Sequence, residues 1–365
     1  MIDRFQFAHG ILWRSDAWYR RAWYVAPQIA AVVTAGWLLT SGGSGSVSQP
    51  GGVAGWGVPT PQEQIFTESD ALRDRAETDQ HAFETVKKLA DAGDPIMQFE
   101  VATLYDSSLK FSKLVAPNMN LAMHYYRMAA EHGHVVSQYN YGLYLVQGTG
   151  VPKDVAAGIP WLVKAAAGGD SAAMQRLGIL YHDGDGVTQS QPLSLQWFQK
   201  AANAGDTYSE AEIGAAYWDG KPPYRKDTAE ALQWYRKAAV DPQQAPSARM
   251  LGIAYRDGIG VPPDGPVSLQ WFQKAADNGD HYAQAEIGAA YWDGKPPYRK
   301  NVAEAVQWYR KAAVDPEQYP SARMLGIAYR DGLGVERDLA QARYWFGQAA
   351  LHGDKTAAEL AREVR

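Results

Sequence analysis

Residues 319–354, YPSARMLGIAYRDGLGVERDLAQARYWFGQAALHGD, contain the pattern that decides the fold of this chain. The apolar spacing predicts a first helix from about Ser321 to Arg330 and a second helix from Leu339 to His352. Asp338 is expected to begin the second helix, because its side chain can accept backbone N–H groups there. Gly353 is expected to end it, since glycine readily adopts the left-handed backbone conformation found after helices. The segment therefore predicts two helices joined by a short loop.

The same pattern returns along the chain at a nearly constant interval. Its marker tryptophans are 36 or 37 residues apart, each is followed by two small residues, and a glycine precedes each of them. A period of this length indicates a solenoid of stacked helix pairs. Glycine inside a helix costs ~1 kcal/mol relative to alanine, so its return indicates a close helix crossing, with the large aromatic residue filling the space between the helices. The tryptophans are Trp161, Trp197, Trp234, Trp271, Trp308 and Trp345, and the glycines are Gly142, Gly178, Gly214, Gly252, Gly288 and Gly326.

The pattern A…LGxxYxxGxGVxxDxxxAxxWxxxAAxxGxxxA resembles the Sel1-like repeat family, whose members are relatives of the tetratricopeptide repeats. The resemblance covers residues 95–354 as seven units, with N-terminal capping helices in 63–94 and a C-terminal capping helix in 355–365. It implies an all-α fold, a right-handed α/α superhelical solenoid of about seven helix pairs with a concave face. It also implies an adaptor or scaffold without catalytic activity, because known members act mainly in protein interactions, many of them in bacterial envelopes.

Two units of the array are near copies of each other. The sequence AEIGAAYWDGKPPYRK occurs at 211–226 and again at 285–300, an offset of 74 residues. The true repeat here is therefore a block of two units. The first unit departs from the pattern, because DSSLKFSKLVAPNMN at 106–120 replaces the tight glycine-containing turn.

The duplicated segment WDGKPPYRK, at 218–226 and 292–300, contains the candidates for a binding surface. Proline pairs favour an extended backbone, and exposed Trp, Tyr and Arg are residue types that anchor interfaces. The hypothesis is that these twin loops bind a protein or an anionic glycan. In the alternative, the tryptophans cover the ends of the helix pairs and the basic side chains are only solvated. The candidate residues are Trp218, Tyr224 and Arg225 in the first loop and Trp292, Tyr298 and Arg299 in the second.

The segment 23–40, WYVAPQIAAVVTAGWLLT, predicts a transmembrane helix. It has no charged residue, and its length at ~1.5 Å per residue approaches the ~30 Å of a bilayer core. Arg20 and Arg21 precede it, which places the basic segment 1–22 in the cytoplasm. The Gly-, Ser- and Pro-rich linker 41–62 then leads to a periplasmic repeat domain. A cleaved signal peptide, a buried core helix and an interfacial helix are the alternatives.

Small residues four apart in this segment predict a surface where a second transmembrane helix approaches closely. The expected partner is therefore a membrane protein complex that contacts both the anchor and the solenoid. The small residues are Ala26, Ala30, Ala31, Ala35 and Gly36.

Composition and motifs limit the chemistry that this chain is expected to perform. None of its 365 residues is cysteine, which excludes disulfides, thiolate zinc sites and iron–sulfur clusters. Its formal net charge of −5 makes nucleic acid an unfavourable partner. HExxH and GxSxG motifs are lacking, so we expect no catalytic residue, no metal and no cofactor.

Taken together, these features predict a scaffold or accessory subunit of an envelope complex, anchored in a bacterial inner membrane by a single pass. The alternative is a periplasmic regulator, or a glycan-binding element, of a signalling, polysaccharide-export or cell-wall assembly system.

Overall fold

The computed structural model describes residues 72, 74–109 and 114–364, and every regular element among them is helical. Helix α1 (Gln80–Asp91) precedes seven helix pairs, and helix α16 (Lys355–Glu363) follows them. The all-α solenoid expected from the sequence is thereby confirmed. The pairs are α2 (Pro95–Tyr105) with α3 (Met119–Glu131), α4 (Val135–Gln147) with α5 (Val155–Ala167), α6 (Ser171–Asp183) with α7 (Gln191–Asn203), α8 (Thr207–Asp219) with α9 (Thr228–Ala238), α10 (Ala245–Asp257) with α11 (Gly265–Asp277), α12 (His281–Asp293) with α13 (Val302–Ala312), and α14 (Tyr319–Asp331) with α15 (Leu339–Leu351).

The second helix of the last pair, α15, begins and ends through local chemistry. Asp338 accepts the backbone N–H groups of Ala340 and Gln341 at 2.9 and 3.0 Å and so caps the start of α15. A cap of this kind stabilises a helix by about 1 kcal/mol. At the other end, Gly353 has a φ of +96°, a conformation that L side chains rarely adopt. The other repeat helices also begin at a capping side chain, except α10 and α14, which follow Gln244 and Gln318.

The repeated glycines lie where the two helices of a pair touch. A Cβ atom on Gly326 would lie 2.5 Å from Cε1 of Phe346, and one on Gly178 would lie 2.6 Å from Cδ1 of Phe198. Real carbon–carbon contacts occur at about 3.5–4.0 Å. The expectation that no side chain fits at these positions is thus confirmed.

The aromatic residue that fills the crossing is not the marker tryptophan, as the sequence led us to expect, but the residue after it. Phe346 is fully buried and packs on the glycine of its own pair, whereas its neighbour Trp345 is half-buried. Adjacent residues on a helix point about 100° apart, and the period alone does not fix which one faces inward. The other inward residues are Leu162, Phe198, Tyr235, Phe272 and Tyr309.

Two ion pairs join the first helix of a repeat to the cap of the helix that begins the next unit. Nη1 of Arg249, on α10, lies 3.1 Å from a carboxylate oxygen of Asp280, which caps α12. Two repeats later, Nη1 of Arg323 lies 2.9 Å from Asp354, which caps α16. Asp280 and Asp354 each accept a backbone N–H group of the helix that they cap, and each also pairs with an arginine of the preceding repeat.

The helices fall into two compact units, one that ends at Gly169 and one that begins at Asp170. In the first unit, the loop that lacks the glycine turn is held by Asp106. This carboxylate is 1% exposed and accepts hydrogen bonds from the hydroxyls of Tyr126 and Tyr144 at 3.1 and 2.5 Å. In this loop a buried carboxylate that accepts several hydrogen bonds thus stands in place of the turn glycines.

Within the described part of the chain, no helix is both long enough and apolar enough to cross a membrane. The features that the sequence predicts for residues 1–62 lie outside the described residues. They are the basic segment 1–22, the transmembrane helix 23–40, the linker 41–62, and the small-residue surface of Ala26, Ala30, Ala31, Ala35 and Gly36.

Candidate interaction site in the twin loops

The twin loops, residues 218–226 and 292–300, fold as closed turns rather than as the extended segments expected from their proline pairs. The N–H of Tyr224 donates to the carbonyl of Lys221 at 2.9 Å, which closes a turn around the cis Pro222–Pro223 bond. The N–H of Asp227 then donates to the carbonyl of Tyr217 at 2.9 Å. The second loop repeats these bonds, so both loops are fixed against the helix that precedes them.

The tyrosines of the twin loops bind the preceding repeat. The Tyr224 hydroxyl donates to Oε1 of Gln199 on α7 at 2.9 Å, and its ring lies 4.4 Å from that of Tyr217, centroid to centroid. The Tyr298 hydroxyl donates to Oε1 of Gln273 on α11, also at 2.9 Å. Burial raises the pKa of Tyr298 to about 12, so its hydroxyl remains a donor at neutral pH. Both tyrosines join adjacent repeats, and partner binding through them stays a prediction.

The tryptophans of the twin loops lie at the ends of α8 and α12 and are half-buried. The Trp218 ring stands edge-on to the Tyr235 ring, with centroids 6.2 Å apart. The Trp292 and Tyr309 rings have centroids 6.1 Å apart. Each tryptophan thus packs on the second helix of its own pair while one side remains open to solvent.

The basic residues at the tips of the loops have the most freedom to bind another molecule. Arg225 and Arg299 are exposed, and neither guanidinium has a hydrogen bond or ion pair with any residue that the structure describes. Lys221 and Lys295, by contrast, lie 3.4 and 3.2 Å from carboxylates of their own loops. Within the described part of the chain, Arg225 and Arg299 are therefore unpaired cations in equivalent places two repeats apart, as are the exposed Lys226 and Lys300 beside them.

A profile of the Sel1 repeat matches more than half of the chain. The chain belongs to the Sel1 repeat family. Sel1 repeats are in general non-catalytic and mediate protein–protein interactions. The matched segments are residues 95–134, 135–170, 171–206, 207–239, 245–280, 281–313 and 320–354, which confirms the seven repeats expected from the sequence.

Solved structures resemble this Sel1 repeat chain. A protective antigen of uropathogenic Escherichia coli strains is 29% identical over 76% of this chain, with a TM-score of 0.51, and the match spans 66% of the antigen's own length. A Sel1 repeat protein from Oxalobacter formigenes is 24% identical over 84% of this chain and 91% of its own, with a TM-score of 0.63. No curated protein matches the chain. The likeness to the Oxalobacter formigenes protein concerns the fold alone.

The Sel1 array also contains a row of cation–π pairs that our sequence analysis missed. In five repeats the lysine three positions after the marker tryptophan lies over the indole ring, with Nζ 3.8–5.6 Å from the centroid. Each pair contributes about 0.5–1 kcal/mol at an exposed site. The recurring W-x-x-K spacing, which places both side chains on one helix face, is the signal that reveals it. The pairs are Trp161–Lys164, Trp197–Lys200, Trp234–Lys237, Trp271–Lys274 and Trp308–Lys311.

The described residues contain no group of three or more His, Asp or Glu side chains arranged to hold a metal ion. The acidic side chains whose pKa is raised by burial include helix caps. Burial raises the pKa of Asp206, for example, while the same carboxylate caps α8 and accepts from Gln175. We therefore assign no catalytic role to any described carboxylate of the array.

Proposed function

We propose that this Sel1 repeat protein is a non-catalytic scaffold, an accessory subunit of an envelope complex. In this proposal segment 23–40 anchors it in a bacterial inner membrane, and the repeats lie in the periplasm. The anchor is supported by its uncharged apolar composition and by Arg20 and Arg21 on one side only. The small residues Ala26 and Ala30 support contact with a partner's transmembrane helix.

The observation that carries the protein-binding role is the pair of unpaired arginines on the array. Arg225 and Arg299 are exposed, and each extends from a loop whose tyrosine is fixed to the preceding repeat. A rigid loop loses little conformational entropy on binding, so its exposed guanidinium is ready to pair with a carboxylate of a partner. The two equivalent loops allow one partner to bind at two points, which increases the overall affinity.

Affinity purification of the full chain from detergent-solubilised membranes tests this role. The complex should co-purify in fixed stoichiometry, and the double variant Arg225→Ala with Arg299→Ala should lose it. A variant with Lys355→Ala and Arg362→Ala removes the same charge from exposed positions on α16 and should retain the complex. Equal recovery with both variants would show that the twin loops are not the binding surface.

Two further outcomes separate the alternatives. A partner that co-purifies only transiently, or only under signalling conditions, favours a periplasmic regulator over a subunit. Binding of a purified anionic polysaccharide that depends on Arg225 and Arg299 favours the glycan-binding element. The anchor is tested independently, with reporters fused to the C-terminus of the chain. A cytoplasmic C-terminus, or a mature chain that starts after segment 23–40, would contradict the anchored arrangement.

A further inference from the structure

The duplicated block carries two copies of one polar cluster on the first helices of its repeats. In the later copy, Arg256 donates to the Tyr282 hydroxyl at 2.9 Å and to a carboxylate oxygen of Glu286 at 2.5 Å. The same guanidinium donates to both carboxylate oxygens of Asp257, at 2.8 and 3.0 Å. The Arg256 and Glu286 side chains are 38% and 26% exposed. This later cluster is a half-buried guanidinium site whose cation comes from the chain itself.

The earlier copy, 74 residues before it, has the same acceptors without the arginine. Tyr208 and Glu212 lie one turn apart on α8, where the Tyr208 hydroxyl acts to lower the pKa of the Glu212 carboxyl. Asp183 lies at the end of α6, in the place equivalent to that of the later aspartate. His182 stands where the later copy has arginine. Its ring is hydrogen-bonded to Asp183 at 2.9 Å and, among the described residues, has no hydrogen bond with Tyr208 or Glu212.

No guanidinium of a described residue binds Glu212 in the earlier cluster, although the nearby His182 and Lys221 act to lower the pKa of its carboxyl. The Glu212 side chain is half-buried, and desolvation raises its pKa. Lys221 lies nearby, but it is paired with Asp219 at 3.4 Å. In the later copy the equivalent Lys295 is paired with its own aspartate at 3.2 Å while the arginine still binds the glutamate. The lysine therefore does not take the place of the guanidinium in either copy.

We propose that Tyr208, Glu212 and Asp183 form a receptor for an arginine side chain of a partner protein. The later copy gives the chemistry directly, because the same three residue types bind a guanidinium there. A planar guanidinium has donors for two carboxylates and a hydroxyl at once, and such charge-assisted bonds are strong when partly buried. This inference rests on the proposed protein-binding role of the solenoid and does not depend on the membrane anchor.

The test uses the full-length chain in detergent with N-acetyl-arginine N-methylamide as the probe. Saturation-transfer NMR should detect its binding, and the uncharged citrulline analogue should bind at least about tenfold more weakly, since bonds to charged groups are the stronger ones. His182→Arg supplies the missing guanidinium from within the chain, so it should abolish probe binding and raise the melting temperature. The reciprocal variant Arg256→His opens the later cluster and should increase the signal about twofold, because the two sites are independent.

Glu212→Gln is the third variant, chosen because it keeps the shape of the site and removes its charge. We expect it to weaken binding about tenfold. Equal binding of the arginine and citrulline probes would overturn the proposal. So would probe binding by His182→Arg that matches the wild type, or a signal from Arg256→His that does not increase. Each of these results leaves the co-purification of a partner through the twin loops unaffected, so the two proposals fail separately.

Discussion

Replacing Gly326 with alanine is the sharpest test of how the repeats pack. The added Cβ atom would lie 2.5 Å from Cε1 and 2.9 Å from Cγ of Phe346, a ring that is fully buried. Because carbon atoms in contact prefer about 3.5–4.0 Å, either the ring or the helix has to move by roughly an ångström. The variant therefore adds a methyl group at the closest point between α14 and α15.

Two opposing effects set the size of the change. Alanine inside a helix is favoured over glycine by about 1 kcal/mol. Overpacking a rigid core costs typically about 1–3 kcal/mol and sometimes more, and the contacts at Gly326 are among the shorter ones of the array. The steric cost is thus expected to exceed the gain in helix propensity. We expect Gly326→Ala to lower the free energy of unfolding by up to about 2 kcal/mol.

Urea unfolding followed by circular dichroism measures this difference, with Gly347→Ala as the matched control. Gly347 lies inside α15, one residue after Phe346, and a Cβ there would meet nothing within 4 Å. The control should gain up to about 1 kcal/mol, because only helix propensity changes. In a Phe346→Leu background the penalty at Gly326 should shrink. If Gly326→Ala unfolds at the same urea concentration as the wild type or a higher one, the close-crossing explanation of the glycine is refuted.

Three further predictions concern other parts of the array. Tyr224→Phe removes the bond to Gln199 and should lower stability by about 0.5–1.5 kcal/mol in urea unfolding; unchanged stability would mean that the hydroxyl is available to a partner. Asp106→Ala leaves the buried hydroxyl of Tyr126 without its acceptor and should cost about 3 kcal/mol by the same assay, whereas a neutral effect would contradict its role in the loop. Burial lowers the pKa of His134 from 6.5 to about 4, so wild-type stability should be complete above pH 6.5 and fall as the pH drops toward 4, by at most about 3 kcal/mol. His134→Asn keeps the helix cap and should flatten that pH dependence in thermal melts; identical pH profiles would refute the assignment.

Features that depend on local chemistry could be predicted from the sequence. Asp338 as a helix cap and Gly326 at a close crossing both follow from what a single residue type does in a helix. The seven-repeat solenoid follows from the period, because each pair has to bury its apolar face on a neighbour. The structure and the family match bear out these expectations.

Features that depend on the rotation of one helix against another could not be predicted in this way. The period marks Trp345, yet Phe346 is the residue that packs on the glycine. The proline pair at Pro222 indicated an extended loop, yet the turn brings Tyr224 back onto Gln199 of the preceding repeat. Both outcomes depend on contacts between segments far apart in sequence, for which propensity gives no information.

The duplicated block separates packing from binding, because one copy serves as a reference for the other. Where the copies agree, as in the twin loops, they make the same contacts: Tyr224 and Tyr298 each donate to a glutamine at 2.9 Å. Packing within the array is enough to explain that agreement. The copies differ at His182 and Arg256. Arg256 binds Glu286 in the later cluster, whereas His182 is bonded to Asp183 and not to Glu212 in the earlier one. Both copies nevertheless keep the tyrosine, the glutamate and the aspartate that bind the guanidinium in the later copy, although α6 and α10 differ at eight of their thirteen positions. A partner's arginine at Glu212 would explain why the earlier copy keeps them.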